Sequence, residues 1–206
     1  LATSALLVMG LVLGVLGWWH RHERHLLHFG ALSLGWAAVT ARPWWHSAGF
    51  ANFPTEVAMV TLVGVVTLVA IQFLLHFARR RWPTLGWALL AQSVLVALSM
   101  LLAGPQRVNA LANVWYLLFI AESLLAIAYF LRAARVSQRR DYGLIATLVV
   151  SMAVMVAVEL AAQRELLPAL WRTLPQVATP LIFLCMGLLL VHQYGRALRS
   201  AEELRN

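Results

Sequence analysis

Three polar side chains interrupt apolar stretches of this sequence at depths where they could do chemistry. Glu122 lies about halfway along an apolar run, and Gln92 and Gln72 lie at comparable depth in the two preceding runs. An ionisable group in such surroundings is costly unless it is paired or hydrated. The pattern therefore predicts a buried polar cluster of Glu122, Gln92 and Gln72. It acts either as a switch that changes helix packing or as a structural set of hydrogen bonds between helices.

A second group of charged and aromatic residues falls at one end of the apolar runs. It consists of Arg42, Trp44, Trp45, Glu56, Trp115, Glu159 and Arg164. Arginine–glutamate pairs and tryptophan rings are common at the ends of membrane helices, where they need no ligand. The group predicts an outward-facing pocket or docking surface, and an ordinary interfacial belt is the alternative.

The seven histidines raise the question of a metal or haem site. Four of them crowd one short stretch: His20, His22, His25 and His28. Two histidines on different helices, such as His76 and His192, can ligate haem, and a His-x-His pair can hold a divalent ion. However, arginines surround the first group, and no cysteine or close carboxylate pair completes a site. We therefore expect no metal ion and no cofactor, and keep a haem-binding membrane subunit as an alternative.

The chain carries no recognisable catalytic motif. It has no phosphate-cradling glycine loop, no serine–histidine–aspartate order and no zinc-protease motif. All sixteen of its Lys and Arg residues are arginine, so no lysine can form a Schiff base with retinal. Cys185 is the single cysteine, which excludes an internal disulfide and a cysteine metal cluster.

The elements that must position these residues are long apolar helices. Hydrophobic residues make up 62% of the chain and charged residues only 12%, against roughly 25% charged in a soluble domain. The apolar runs are long rather than short and alternating, which favours a helical bundle over a β-barrel. The composition predicts an all-α integral membrane protein.

Charge, proline and tryptophan divide the chain into seven predicted spanning helices. The first six cover 1–19, 26–41, 55–77, 84–103, 111–131 and 142–162, and the seventh begins at Gln176. Gly10, Gly14 and Gly17 form a small-residue face that we expect to pack within the protein. The first segment lacks the features of a signal peptide and begins without a methionine, so we expect a processed segment or an extracytoplasmic domain before it.

The distribution of arginine predicts the orientation of this bundle. Loops after the odd-numbered helices, together with the tail, hold twelve arginines, and the other side holds four. Short cytoplasmic loops are enriched in arginine, so the N-terminus is predicted outside and the C-terminus in the cytoplasm. The net charge of +8 is then a topology signal, and we expect no nucleic-acid partner.

The last segment continues as a helix beyond its apolar run. After Gly195 the sequence is charged and helix-favouring, with no proline to stop it. Five residues are spaced four, three, four and three apart, as in a coiled-coil seam: Leu190, Tyr194, Ala197, Ala201 and Leu204. We predict a sensor domain over 1–195 and the start of a cytoplasmic signalling helix over 196–206. This helix pairs with its copy in a homodimer, and an amphipathic tail is the alternative.

The turn after the first helix carries the residues of a family signature. Trp19-His-Arg-His-Glu23, followed by Phe29 and Trp36, resembles the signature of bacterial seven-transmembrane receptors with diverse intracellular signalling modules. The later Phe77-Ala-Arg-Arg-Arg stretch and the exit from Arg196 are similar to the same group.

The resemblance implies a multi-pass sensor in the bacterial inner membrane. Its last helix would lead through a signalling coil to a histidine kinase of a two-component system, or to a diguanylate cyclase, outside this chain. An extracytoplasmic sensor domain upstream is a further implied partner. A polytopic transporter is the alternative function, for which broken helices and a polar path are expected; Pro180 is the only proline well inside a run.

Overall fold

The computed structural model describes residues 2–19, 24–41, 52–78, 82–137, 140–163 and 174–203. Within these ranges every regular element is a helix and none is a strand. The helices are α1 (Ala2–Trp19), α2 (Arg24–Thr40), α3 (Asn52–Phe77), α4 (Pro83–Ser137), α5 (Arg140–Gln163) and α6 (Leu174–Glu203). The predicted all-α fold is confirmed.

Helix α4 consists of two helical arms separated by Gly104. This residue has a φ of 68° and a ψ of 173°, a backbone conformation that is essentially restricted to glycine. Pro105 follows, and its ring and missing N–H prevent the first arm from continuing. The break predicted at Gly104-Pro105 is confirmed.

The two arms of α4 fold back on each other as an antiparallel hairpin. Trp115 on the second arm donates its indole N–H to Ser99 Oγ on the first arm at 3.0 Å. The rings of Trp82, just before α4, and Tyr129 lie 5.7 Å apart. In a straight helix these two residues would be separated by roughly 70 Å, so the contact requires the hairpin.

The helices form a closed ring in chain order. Each helix contacts the next one along the chain, and α6 returns to contact α1. If the arms of α4 are counted separately, the described part of the chain contains seven helical rods. Each of the seven predicted segments corresponds to one rod.

Two clusters of buried side chains hold the ring together. The larger cluster joins all helices of the described ranges and includes Leu13, Phe29, Phe73, Phe130, Ile145 and Leu190. The smaller cluster joins the first half of α3 to both arms of α4 near Gly104 and includes Val60, Val96, Met100 and Phe119. The hairpin is therefore held mainly by α3 at one end and by the common core at the other.

Helices α1 and α2 cross at glycines. A Cβ atom on Gly30 would lie 2.5 Å from Gly14 N and 2.9 Å from Gly10 O, so the two backbones touch. A Cβ on Gly17 would likewise overlap the backbone of Leu27. The small-residue face predicted on the first helix packs within the protein, as expected.

Within the described residues, two stretches are long and apolar enough to cross a membrane: Phe53–His76, and Thr84–Arg135, which includes both arms of α4. Shorter apolar helices within the described ranges are Thr3–Trp19, Leu26–Thr40, Gly143–Val158 and Val177–Gln193. Both arms of α4 expose large apolar side chains, such as Leu102 at 87% and Leu125 at 72%. An apolar surface of this extent points to association with a membrane.

Candidate functional site

Two members of the predicted polar cluster meet inside the α4 hairpin. Gln92 Nε2 on the first arm donates a hydrogen bond of 2.7 Å to Glu122 Oε1 on the second arm. Both side chains are half-buried. The Trp115–Ser99 bond lies seven residues closer to the turn on each arm. Seven residues are about two helical turns, so both bonds join the same faces of the two arms.

The other carboxylate oxygen of Glu122 has no hydrogen-bond partner within the described ranges. Oε2 is buried, and no donor reaches it among the residues that the structure describes. A buried oxygen left in this state costs about 1–3 kcal/mol. Glu122 therefore has one fixed hydrogen bond and one open acceptor, which can take a bond from a donor that moves into reach.

The third member of the predicted cluster, Gln72, lies apart from this pair. Gln72 Oε1 is 3.2 Å from His28 Nε2, a hydrogen bond that joins α3 to α2. Gln72 Nε2 would lie 3.2 Å from a Cβ on Gly86. Since Gly86 is six residues before Gln92, about 9 Å of helix axis separate the two glutamines. The structure thus forms two pairs, Gln92–Glu122 and Gln72–His28.

His28 also contacts His76 on α3. The centroids of the two rings are 5.4 Å apart and their planes are inclined by 27°. His76 follows Gln72 by four residues, about one turn, so both side chains reach the same residue of α2. We call His28, Gln72 and His76 the histidine–glutamine cluster. This cluster was not predicted, although the four-residue spacing of Gln72 and His76 on α3 is a signal that the sequence contains.

The aromatic residues of the predicted signature on α2 lie in or against the core. Phe29 is fully buried, and its ring centroid lies 5.6 Å from that of Phe73 and 5.7 Å from that of Phe183. Trp36 lies 6.3 Å from Phe183, with the ring planes inclined by 24°. Phe29 and Trp36 therefore attach α2 to α6. Trp19, at the start of the signature, is 80% exposed.

The predicted outward-facing pocket has two members whose side chains are described. Glu56 is half-buried near the start of α3. Trp115 packs inside the hairpin, where its ring lies 6.1 Å from that of Phe119 and its N–H binds Ser99. Arg42, Trp44, Trp45 and Arg164 lie outside the described residues, as does the side chain of Glu159. The outer pocket stays a prediction.

The first residue of the predicted output seam lies in the protein's own core. Leu190 is fully buried in the larger cluster with Phe183 and Met186. Helix α6 continues to Glu203. Leu204 and the side chains of Tyr194, Ala197 and Ala201 lie outside the described part of the chain. Pairing through these residues stays a prediction.

Comparison with protein-family models, with curated proteins and with solved structures finds no match to this chain. Among the described residues, no three His, Cys, Asp or Glu side chains form a group that could hold a metal ion. The polar pairs and the last helix are therefore the features of the described structure that bear on function.

Proposed function

We propose that this chain is a membrane sensor module that relays a stimulus through α6 to a cytoplasmic output domain. The observation that carries the proposal is the length of α6. Its 30 residues extend about 45 Å, whereas the hydrocarbon core of a bilayer is about 30 Å thick. The helix is anchored in the core by Leu190 and continues for thirteen residues after it, to Glu203. This arrangement suits the transmission of a packing change from one end to the other.

The proposed bundle crosses the bacterial inner membrane seven times. Its support is the closed ring of helical rods and the exposed apolar surface of the hairpin. The arms on either side of Gly104 each have at least the roughly 20 residues needed to span the hydrocarbon core. The shorter helix α2 fits if flanking arginine and histidine side chains reach to the headgroups.

The proposed orientation has the N-terminus outside and the C-terminus in the cytoplasm, on the strength of the twelve-to-four arginine distribution. Because Cys185 is the single cysteine, a Cys185→Ser background allows new cysteines to be labelled one at a time. We expect a membrane-impermeant thiol reagent to label Leu1→Cys and Gln106→Cys in intact cells, but to label Asn206→Cys only after lysis. Labelling of Asn206→Cys in intact cells would contradict the orientation.

The buried residues of α6 and the residues of the proposed seam lie on one continuous face of the helix. Phe183, Met186 and Leu190 are buried, and Tyr194 and Ala197 continue with helical spacings of four and three. In the proposal the stripe faces the core as far as Leu190 and faces a second copy from Tyr194 onward. A stimulus that alters packing around Phe183 then displaces the face that a histidine kinase, or a diguanylate cyclase, would read.

Insertions after Gly195 test this relay. The chain is fused after Asn206 to a kinase reporter, and reporter output is measured in cells. One inserted residue turns everything downstream by about 100°, so we expect output to be lost or inverted. Seven inserted residues restore the face to within about 20°, so we expect output to be largely kept.

Cysteine crosslinking between copies is the companion measurement. In the Cys185→Ser background, Ala201→Cys lies in the proposed seam and Arg199→Cys lies on the flank, so Ala201→Cys is expected to crosslink more readily. Equal crosslinking at both positions, with an output indifferent to the one-residue insertion, would make α6 a tether. That result would favour a transporter or an anchor.

A further inference from the structure

We propose that the second arm of α4 binds one anionic phospholipid. The headgroup phosphate lies between Arg132 and Arg135, and an acyl chain lies along the exposed apolar residues that precede them on the same helix face. This site goes beyond the proposed sensor function and requires only that the chain lies in a membrane.

Arg132 and Arg135 are close enough together to share one phosphate. Both side chains are exposed, near the C-terminal end of α4. Residues three apart in a helix have Cβ atoms about 5–6 Å apart, so both guanidinium groups can reach the same anion. Two like charges at this spacing repel each other, and a phosphate between them replaces the repulsion with charge-assisted hydrogen bonds.

No acidic side chain of the described ranges lies near these two arginines. The acidic residues whose side chains the structure describes are Glu56 and Glu122. Glu122 precedes Arg132 by ten residues of the same helix, about 15 Å. Glu56 lies near the start of α3, the half of that helix that packs near Gly104, at the opposite end of the hairpin. The charge of the two arginines is therefore left for an anion from outside the described structure.

The aromatic residues beside the arginines are those expected at the level of lipid headgroups. The ring of Trp82 contacts that of Tyr129, which precedes Arg132 by about one helical turn. Trp82 is 51% exposed, and tryptophan and tyrosine are enriched where a membrane meets water. The three residues directly before Trp82 in the sequence are also arginines. Such a cluster of positive charge attracts anionic headgroups.

Exposed apolar residues continue from the arginines toward the middle of the arm on one helix face. Counted back from Arg135, exposed residues recur three, four, three, four and three apart, at Arg132, Ala128, Leu125, Ala121 and Leu118. From Arg132 to Ala121 the helix rises about 16 Å, close to one leaflet of a hydrocarbon core about 30 Å thick. A cationic end followed by an apolar face of this length matches a phospholipid, whereas a free phosphate would use only the arginines.

Lipid binding by the full chain in detergent micelles tests the site. Phosphatidylglycerol or phosphatidylcholine with the same acyl chains is added, and binding is followed by native mass spectrometry and thermal unfolding. We expect one phosphatidylglycerol per chain and a melting temperature that rises with its concentration, and little effect of phosphatidylcholine. Arg132→Gln and Arg135→Gln should each weaken phosphatidylglycerol binding about fivefold, and the double variant about thirtyfold.

Arg107→Gln is the matched control, because Arg107 is exposed on the same arm at the other end of the hairpin. It should leave the affinity for phosphatidylglycerol unchanged. All variants should melt with the wild type in phosphatidylcholine, which separates loss of lipid from loss of fold. Equal phosphatidylglycerol binding by the wild type and the double variant, or equal weakening by Arg107→Gln, would overturn the proposal. Equal stabilisation by glycerol 3-phosphate, which lacks acyl chains, would also overturn it, because the ligand would then be a free phosphate compound.

Discussion

Replacing Gly30 with alanine is expected to lower the free energy of unfolding by about 3 kcal/mol, the upper end of the usual range for overpacking. The added methyl group would lie 2.5 Å from Gly14 N and 2.8 Å from Gly14 Cα. These are backbone atoms of α1, which cannot rotate away as a side chain can. The helices must therefore separate, and the core contacts of neighbouring Phe29 are weakened with them. Denaturant-induced unfolding in detergent micelles measures the loss.

Gly14→Ala is the matched control, because it places the same methyl group at the same helix crossing. A Cβ on Gly14 meets no atom of another described part of the protein within 4 Å. Alanine also favours helix over glycine by up to about 1 kcal/mol, so this variant should be as stable as the wild type or slightly more stable. Equal destabilisation by the two substitutions would show that the crossing is looser than described.

Replacing Gln92 with leucine is expected to destabilise the protein by about 1–3 kcal/mol, because Oε1 of Glu122 would then lose its amide donor. The double variant Gln92→Leu/Glu122→Leu should regain most of this loss, since replacing both partners by apolar groups can be nearly neutral. A double-mutant cycle on thermal or denaturant unfolding gives the coupling energy of the pair.

Ser93→Ala is the control for this cycle. Ser93 follows Gln92 directly, but its hydroxyl donates to Leu89 O within its own helix at 3.0 Å. Its removal should therefore change stability by no more than about 0.5 kcal/mol. If Ser93→Ala and Gln92→Leu were equally destabilising, the hydrogen bond to Glu122 would have no special role in stability.

The same pair separates the switch hypothesis from the structural one. Glu122→Gln retains a side chain that can bond Gln92 but removes the ionisable group. If Glu122 is a switch, the reporter fusion should be locked in one output state while expression is normal. If Glu122 is structural, output should be unchanged, and Glu122→Leu should lower thermal stability. Unchanged signalling in both variants would remove Glu122 from the candidate site.

Local signals in the sequence predicted much of the fold. The break at Gly104-Pro105 was readable because proline cannot continue a helix and glycine permits the required φ. Once that turn is placed, Gln92 and Glu122 fall on two adjacent antiparallel rods, and each lies near the middle of its predicted segment, so similar depths are expected. Their hydrogen bond is therefore the part of the site that sequence reasoning approached most closely.

The remaining contacts depend on how each helix is rotated about its own axis, which no local pattern specifies. Gln72 was grouped with Gln92 by depth, but its face of α3 turns toward α2 and His28. Leu190 shows the same difficulty. Its spacing marks an apolar stripe, and spacing alone does not say whether that stripe meets the protein's own core or a second copy. Burial in the larger cluster decides this for Leu190.

The anchoring of α6 at Leu190 makes the helix a lever. Sliding or turning it far would expose Phe183, Met186 and Leu190, which are buried, and would lose the close packing that holds helices together in a membrane. Tilting about that anchor exposes much less. The thirteen residues from Leu190 to Glu203 form an arm about 20 Å long, so a tilt of about 10° moves its tip by roughly 3.5 Å. A small change of packing around Leu190 thus becomes a displacement of a few ångströms at Glu203.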